Sequence, residues 1–289
     1  MTELPITVAI STFNRAHYLK LCLGSVFASR ELPAEVLVMN DGSTDATPET
    51  VAAFGERVKG FYQENQGLAA ARNALVKRAT QKYIIFLDDD DLLLPDAIPL
   101  LYQAVSASQG KPAAAYGQYR RIDSNGNGLP TKLKRKHFPS GMIAADLFLK
   151  NLILPSATLL DREYILAQGM TFPTGVRVGE DYPFMLELSR RIPFYAVNEP
   201  IVLRRRHQNN LSARSADGPV IEFNVLKNFY DNNPDVQALI PRSIARKRLA
   251  ELKIRTARNL TDPAARRQAF SEALKLKFSF KALWGKLFS

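Results

Sequence analysis

The chain has 289 residues, 46% hydrophobic and 23% charged, the composition of a globular protein with room for one large α/β domain or one domain with an attached subdomain. A single cysteine, Cys22, excludes an internal disulfide framework and a cysteine-rich zinc site. The formal net charge of +11 is concentrated at one end: from Pro241 onward thirteen Lys or Arg stand against three Asp or Glu, which points to an anionic partner, and no zinc-finger, helix-turn-helix or RNA-binding aromatic pattern supports nucleic acid in that role.

In chain order, 6–11 reads as a strand and 17–28 as a helix on which Tyr18, Leu21, Cys22, Ser25 and Val26 share a face. A second strand over 35–39 ends in Asn40-Asp41-Gly42-Ser43, and 47–54 is helical. A short strand over 58–62 leads through Asn65-Gln66-Gly67 into an alanine-rich helix over 68–79. The apolar run 83–87 is a buried fourth strand that passes directly into Asp88-Asp89-Asp90-Asp91. This alternation predicts an α/β fold with a mostly parallel central sheet flanked by helices. Beyond Asp91 the expected elements are a helix from Pro95 to about 108, a strand over 113–120, a hairpin turn over 123–128 and a basic loop over 131–139. They continue with a helix over 142–149, a strand over 156–160, a short helix over 161–167 and a helix over 182–190. Strands over 194–197 and 201–205 and a helical C-terminal region complete the chain.

Four carboxylates at the end of a buried strand repel one another, and stability alone does not require them. A hard divalent ion takes oxygen ligands and would neutralise them, and the carboxyl end of a strand in an open sheet is where ligands bind. Side chains alternate in extended chain, so Asp88 and Asp90 fall on one side. At the end of the second strand, Asp41 offers a carboxylate to a base or sugar edge and Gly42 lets backbone approach a ligand; plain turn chemistry also fits this stretch. There is no GxGxxG and no P-loop. Gly179-Glu180-Asp181 precedes a helix, where backbone dipoles favour a carboxylate, and a simple helix cap fits it too. Arg204-Arg205-Arg206-His207 is a dense cationic stretch that also fits a solvated loop.

Four segments in order, VAISTFNRAHYLKLCLGSV, VMNDGSTDAT, NQGLAAARNALVKRATQKYIIFLDDDD and GEDYPFMLEL, resemble the family 2 glycosyltransferases, nucleotide-sugar enzymes of the GT-A fold. The resemblance implies that Thr12, Asn14, Arg15 and Asp41 embrace the nucleotide and that Asn65, Gly67 and Arg72 lie beside the nucleotide and diphosphate. It maps the acidic run onto the family's metal and donor-sugar motif, with Asp88 and Asp89 toward the sugar and Asp90 and Asp91 at a Mn²⁺ or Mg²⁺. The chain departs from the family pattern in having Asp89 where a small residue is usual. The acidic pair supplies the general base by the same resemblance, Asp181 first and Glu180 second. Arg206 is expected at the diphosphate and His207 at the diphosphate or the metal.

The implied activity is metal-dependent, inverting transfer from a nucleotide sugar, UDP-linked first, to a saccharide or lipid-linked glycan. A non-catalytic nucleotide-sugar or polyanion-binding protein and a nucleotidyltransferase are the competing classes. The expected organisation is a GT-A-like catalytic domain over 1–215, with a nucleotide-sugar half to about 120 and an acceptor half after it, and a helical basic extension over 216–289. If 273–289 is helical, Leu276, Phe280, Leu283, Trp284 and Leu287 cluster on one face among lysines, the pattern of a helix at an anionic membrane surface. A helix packed on the body or an oligomer contact fits the same pattern. The first ten residues show no basic leader or long apolar segment, which sets the expectation of a cytoplasmic protein, peripheral on the inner face of the membrane.

Overall fold

The computed structural model describes residues 3–130, 138–175, 179–208, 210, 217–277 and 280–287. In chain order its elements are β1 (Glu3–Thr12), α1 (Ala16–Phe27), β2 (Leu32–Asp41), α2 (Thr47–Ala52), β3 (Lys59–Gln63), α3 (Leu68–Arg78), β4 (Tyr83–Asp88), β5 (Leu92–Leu93), α4 (Ala97–Ser106), β6 (Ala114–Ile122) and β7 (Gly128–Leu129). There follow α5 (Ala144–Leu149), β8 (Thr158–Asp161), α6 (Arg162–Ala167), α7 (Asp181–Ser189), β9 (Phe194–Arg205), α8 (Gly218–Asn232), α9 (Pro234–Leu239), α10 (Arg242–Asn259), α11 (Pro263–Leu276) and α12 (Phe280–Leu287). They group into two compact units. The first carries every named strand with α1–α4 and α6; the second carries α5 and α7–α12. A division in chain order at 215/216 does not describe this grouping, because the segments bearing α5 and α7 belong with the C-terminal helices.

In the first unit the strand order is β3-β2-β1-β4-β8-β6-β9-β5, with β7 on β6. The β3-β2-β1-β4 half is parallel throughout. Its central strands are apolar on both faces, as a strand covered by helices on each side must be: Ile6, Val8, Ile10, Val38 and Ile85 are buried in one cluster with Leu19 and Leu23 of α1, and Leu37, Met39, Ile84 and Phe86 are buried on the other face. The other half is mixed. β8 runs antiparallel to both β4 and β6, β6 and β9 are parallel, and β5 is antiparallel to β9.

The two strands expected over 194–197 and 201–205 are one strand, β9. Pro200 lies within it, opposite Gln118, where the β6–β9 register shifts on both sides. An irregular rung needs no N–H from proline, so the strand continues through it. The two-residue β5, directly after the aspartates, has no periodicity to betray it; it exists because Leu92 and Leu93 pair with Leu203 and Val202. Most of the expected basic loop, 131–137, lies outside the described residues.

In the second unit α10 packs against α8 and α11, and α11 against α12. Ile254, Ala257, Ala269, Phe270, Ala273 and Ala282 form its apolar cluster. Glu222 of α8 pairs with Arg248 of α10. The segment 273–289 is not one continuous helix: α11 closes at Leu276 with Lys277 extended, and α12 starts afresh at Phe280. Among the described residues no helix is long and apolar enough to cross a membrane.

Candidate functional site

The carboxyl ends of β1, β2 and β4 share one edge of the first unit's sheet, with Ser11 of β1 in register with Asp88 of β4. After Asp88 the chain turns, the Asp91 N–H donating to the Asp88 carbonyl at 3.0 Å. The turn sends the four carboxylates in different directions. Asp88, Asp90 and Asp91 each bring an oxygen within 4.8 Å of the others, close enough to hold a metal ion. Asp89 turns instead to Arg15, whose Nη1 donates to it at 2.9 Å and to Asp90 at 3.2 Å. Arg72, itself buried, donates to Asp88 at 2.8 Å and rests its guanidinium 5.5 Å from the Phe172 ring. Asp91 accepts from the Ser156 hydroxyl at 2.8 Å and from the Arg205 N–H at 3.0 Å.

The electrostatics follow from this crowding. Burial pushes the Asp89 carboxyl up to about 7, against the opposing pull of Arg15. Burial first, then Asp88 and Asp90, hold Asp91 well above the ordinary carboxylate range. A cation among the carboxylates would relieve both the repulsion and the desolvation, and the donor set is hard oxygen.

Thr12, Asn14, Arg15 and Asp41 surround this edge, and two loops there are stitched together. Asn14, at φ 53°, donates its N–H to Ser43 Oγ at 2.9 Å and accepts from Thr44 N at 2.8 Å. Asp45 accepts from Ala16 N at 2.9 Å and from Thr47. Asp41 does not stand open to the edge as its position in the sequence suggests. Both of its oxygens are engaged, by Gln63 Nε2 at 2.7 Å, Gln66 N at 3.0 Å and Gly67 N at 2.9 Å. It therefore holds the loop containing Asn65 and Gly67 against β2. Gly42 makes that approach available: at φ 84°, a Cβ there would lie 2.9 Å from the Asn65 backbone nitrogen.

At the end of β9 the sequence points to Arg206 and His207, and the structure divides them. His207 Nε2 lies 2.9 Å from Asp90 Oδ2. Arg206 donates its N–H to the Ile122 carbonyl and so extends the β6–β9 ladder. The guanidinium that reaches the acidic turn is that of Arg205, 3% exposed, whose Nε donates to the Asp90 carbonyl at 3.0 Å. Its Nη1 donates to the carbonyls of Asp123 and Ser124 at 3.2 and 3.1 Å, and it lies 5.0 Å from the Tyr18 ring. Tyr18 stacks on His207 at 5.1 Å. Arg205, Tyr18 and Ser156 are the residues that sequence reasoning did not assign to the site. Only strand alternation, which turns Arg205 inward between Arg204 and Arg206, carried a signal for one of them.

Glu180 and Asp181 belong to the second unit. Asp181 opens α7, and Glu180, buried at the N-cap, makes no side-chain capping bond. Asp181 lines a cavity of about 540 Å³ with Asn151, Glu222, Arg255, Arg258 and Asn259.

The model of the family described as "Glycosyl transferase family 2" matches residues 7–165. The chain belongs to that family. An uncharacterized glycosyltransferase of Rickettsia conorii is 26% identical over 225 residues, 76% of this chain and 37% of that protein. The chondroitin synthase of Pasteurella multocida is 28% identical over 220 residues, 73% of this chain and 22% of that protein. The chain thus spans about a third or less of the length of these two relatives. Among solved structures, S. aureus TarS in complex with UDP-GlcNAc superposes with a TM-score of 0.69 at 15% identity, over 94% of this chain and 81% of that one. The likeness establishes the GT-A-like fold. Within this family 2 chain the match takes in Arg15, Asp41, Arg72 and the four aspartates. It stops short of Glu180, Asp181, Arg205 and His207, whose standing rests on this chain's own structure and sequence.

Proposed function

We propose that this chain is a metal-dependent, inverting glycosyltransferase. It moves a sugar from a nucleotide sugar to a hydroxyl of a saccharide or lipid-linked glycan. The observation that carries the reading is the convergence of Asp88, Asp90 and Asp91 at the carboxyl edge of the sheet in a family 2 chain. TarS binds UDP-GlcNAc, which makes UDP-sugars the first donors to test.

Asp88, Asp90 and Asp91, with His207 beside Asp90, would hold Mg²⁺ or Mn²⁺. When bound, such an ion offsets the charge of the nucleoside diphosphate as it leaves. Arg15 fixes Asp89 and Asp90, Arg72 fixes Asp88, and Arg205 fixes the turn between them, so the carboxylates are set before substrate arrives. Asp41 holds the Asn65–Gly67 loop that borders the nucleotide. Asp181 is the general base, with Glu180 as the second choice: it takes the proton from the acceptor hydroxyl as that oxygen attacks the anomeric carbon. One base and no separate nucleophile give a single displacement with inversion. The excess of Lys and Arg after Pro241 supports a peripheral position on an anionic membrane surface, beside a lipid-linked acceptor.

The test is release of nucleoside diphosphate across a panel of nucleotide sugars, with and without Mn²⁺. Metal-dependent turnover of one donor, lost in Asp90→Ala and in Asp181→Ala, is the expected result. Binding of no donor would sink the reading, and release of pyrophosphate would replace it with nucleotidyl transfer.

A further inference from the structure

The cavity in the second unit holds arginines that the reaction above does not use. Its volume of about 540 Å³ falls within the range of small-molecule sites. Its charged side chains come from three helices: Asp181 from the start of α7, Glu222 from α8, and Arg255 and Arg258 from the last turns of α10. Glu222 is already neutralised twice. Arg248 pairs with one of its oxygens, and Arg255 Nη1 lies 3.4 Å from the other. Arg258 is three residues from Arg255 on the same helix, hence a neighbour on its surface. Among the described residues it has no carboxylate partner. A cation in the last turn of a helix also answers the helix dipole. That accounts for a positive charge near the end of α10; Arg258 is exposed at the open side of the cavity, which it shares with a carboxylate from another helix.

We propose that this cavity is a subsite for an anionic group on the acceptor, a phosphate or a carboxylate, held by Arg258 with Arg255 beside it. The inference rests on the glycosyltransferase reading and deepens it by naming the acceptor's chemical class. A guanidinium presents a planar fork that matches both anions. Asp181 in the same cavity serves the hydroxyl that reacts. The subsite selects acceptors with negative charge, and the excess of Lys and Arg after Pro241 raises their local concentration.

The experiment is saturation-transfer NMR on the full chain with glucuronate, glucose 6-phosphate and glucose, in excess UDP so that the donor site is filled. Salt is kept at about 0.15 M to screen diffuse attraction. Glucuronate or glucose 6-phosphate should bind and glucose should not; which anion binds more tightly tells carboxylate from phosphate. Arg258→Ala should weaken anion binding about tenfold or more, as loss of a charge-assisted hydrogen bond does. Arg258→Lys should restore part of it. Arg267→Ala, an exposed arginine on α11 outside the cavity, should change nothing. Calorimetric UDP affinity should be equal in all variants. Anion binding that survives Arg258→Ala, or glucose binding as well as the anions, overturns the proposal. UDP binding without Arg258-dependent anion binding overturns this inference alone. Anion binding without UDP binding overturns the acceptor role together with the reading above.

Discussion

Four identical residues in a row take four different environments. Asp89 faces Arg15, Asp88 faces Arg72, Asp90 lies between Arg15 and His207, and Asp91 is enclosed by Ser156 and the Arg205 backbone. A carboxylate buried among others favours its protonated form, so without metal the folded chain holds a proton on Asp89 that the unfolded chain has released. The folded value of about 7 lies above the unfolded one, and stability therefore falls as pH rises from about 4 to about 7. In chelator, Asp89→Asn should make that fall shallower by about 1.4 kcal/mol per pH unit. Urea unfolding at several pH values would show it, and an unchanged slope would mean that Arg15 keeps Asp89 ionised throughout. Asp91, also raised by burial, contributes a slope of the same sign. Arg205→Met should cost on the order of 2–3 kcal/mol, because it strips the carbonyls of Asp90, Asp123 and Ser124 of a buried charged donor. Denaturant titration checks this, and a cost below about 0.5 kcal/mol would leave Arg205 no positioning role.

At the scale of elements, the parallel half of the sheet is held at the site edge by Asp41 and away from it by Glu35. Glu35 of β2 is a buried carboxylate that accepts from Thr7 Oγ1 of β1 at 2.7 Å, from Thr80 N at 2.8 Å and Thr80 Oγ1 at 3.1 Å ahead of β4, and from Lys59 of β3 at 3.3 Å. It thus ties β1, β2 and β3 to the segment that leads into β4. Burial alone would raise its pKa, but the hydrogen bonds from Thr7, Thr80 and Lys59 outweigh burial and hold it below the ordinary range. Its contribution is therefore complete above the unfolded pKa and is lost as pH falls through the folded one. Glu35→Gln should cost about 1–3 kcal/mol at neutral pH and flatten the acid side of the stability curve, while turnover per folded molecule stays at the wild-type level. Loss of turnover would mean that the strand ends at the site depend on this distant clasp. The strands themselves were legible from 83–87 and the other apolar runs. Glu35 was not, because a lone glutamate at the start of a strand looks like any solvated charge until Thr7, Lys59 and Thr80 arrive.

At the scale of the whole molecule, a nearly neutral stretch of 240 residues is followed by one with thirteen Lys or Arg against three Asp or Glu. Charge of one sign on a helical surface is attracted to anionic lipid over a Debye length, and exposed aromatic side chains add a short-range apolar contribution. α12 bears Trp284, 68% exposed, while Ala282 of the same helix is buried against the second unit's apolar cluster. Deletion of 273–289 should abolish sedimentation with phosphatidylserine vesicles, and Trp284→Ser should weaken it without altering UDP affinity. Undiminished vesicle binding by the deletion would defeat the membrane reading. The break between α11 and α12 means that the apolar face read along 273–289 is not one stripe, so α12 is the segment on which this prediction turns.

The sequence by itself determined the alternation of strand and helix through Asp88, the acidic turn at a strand end and the kinship with family 2, because each is written in neighbouring residues: period, turn chemistry and ordered motifs. It also marked Arg15, Arg72, Asp90 and His207, which meet in the structure as carboxylate partners. Only the tertiary structure decided which aspartates face one another, that Arg205 rather than Arg206 reaches their backbone, that Asp41 clasps a loop, and that Asp181 shares a cavity with Arg258. Those facts join residues far apart in the chain. The direction of a side chain at the end of a strand is set by the elements packed around it, and local sequence carries no record of where those elements come from.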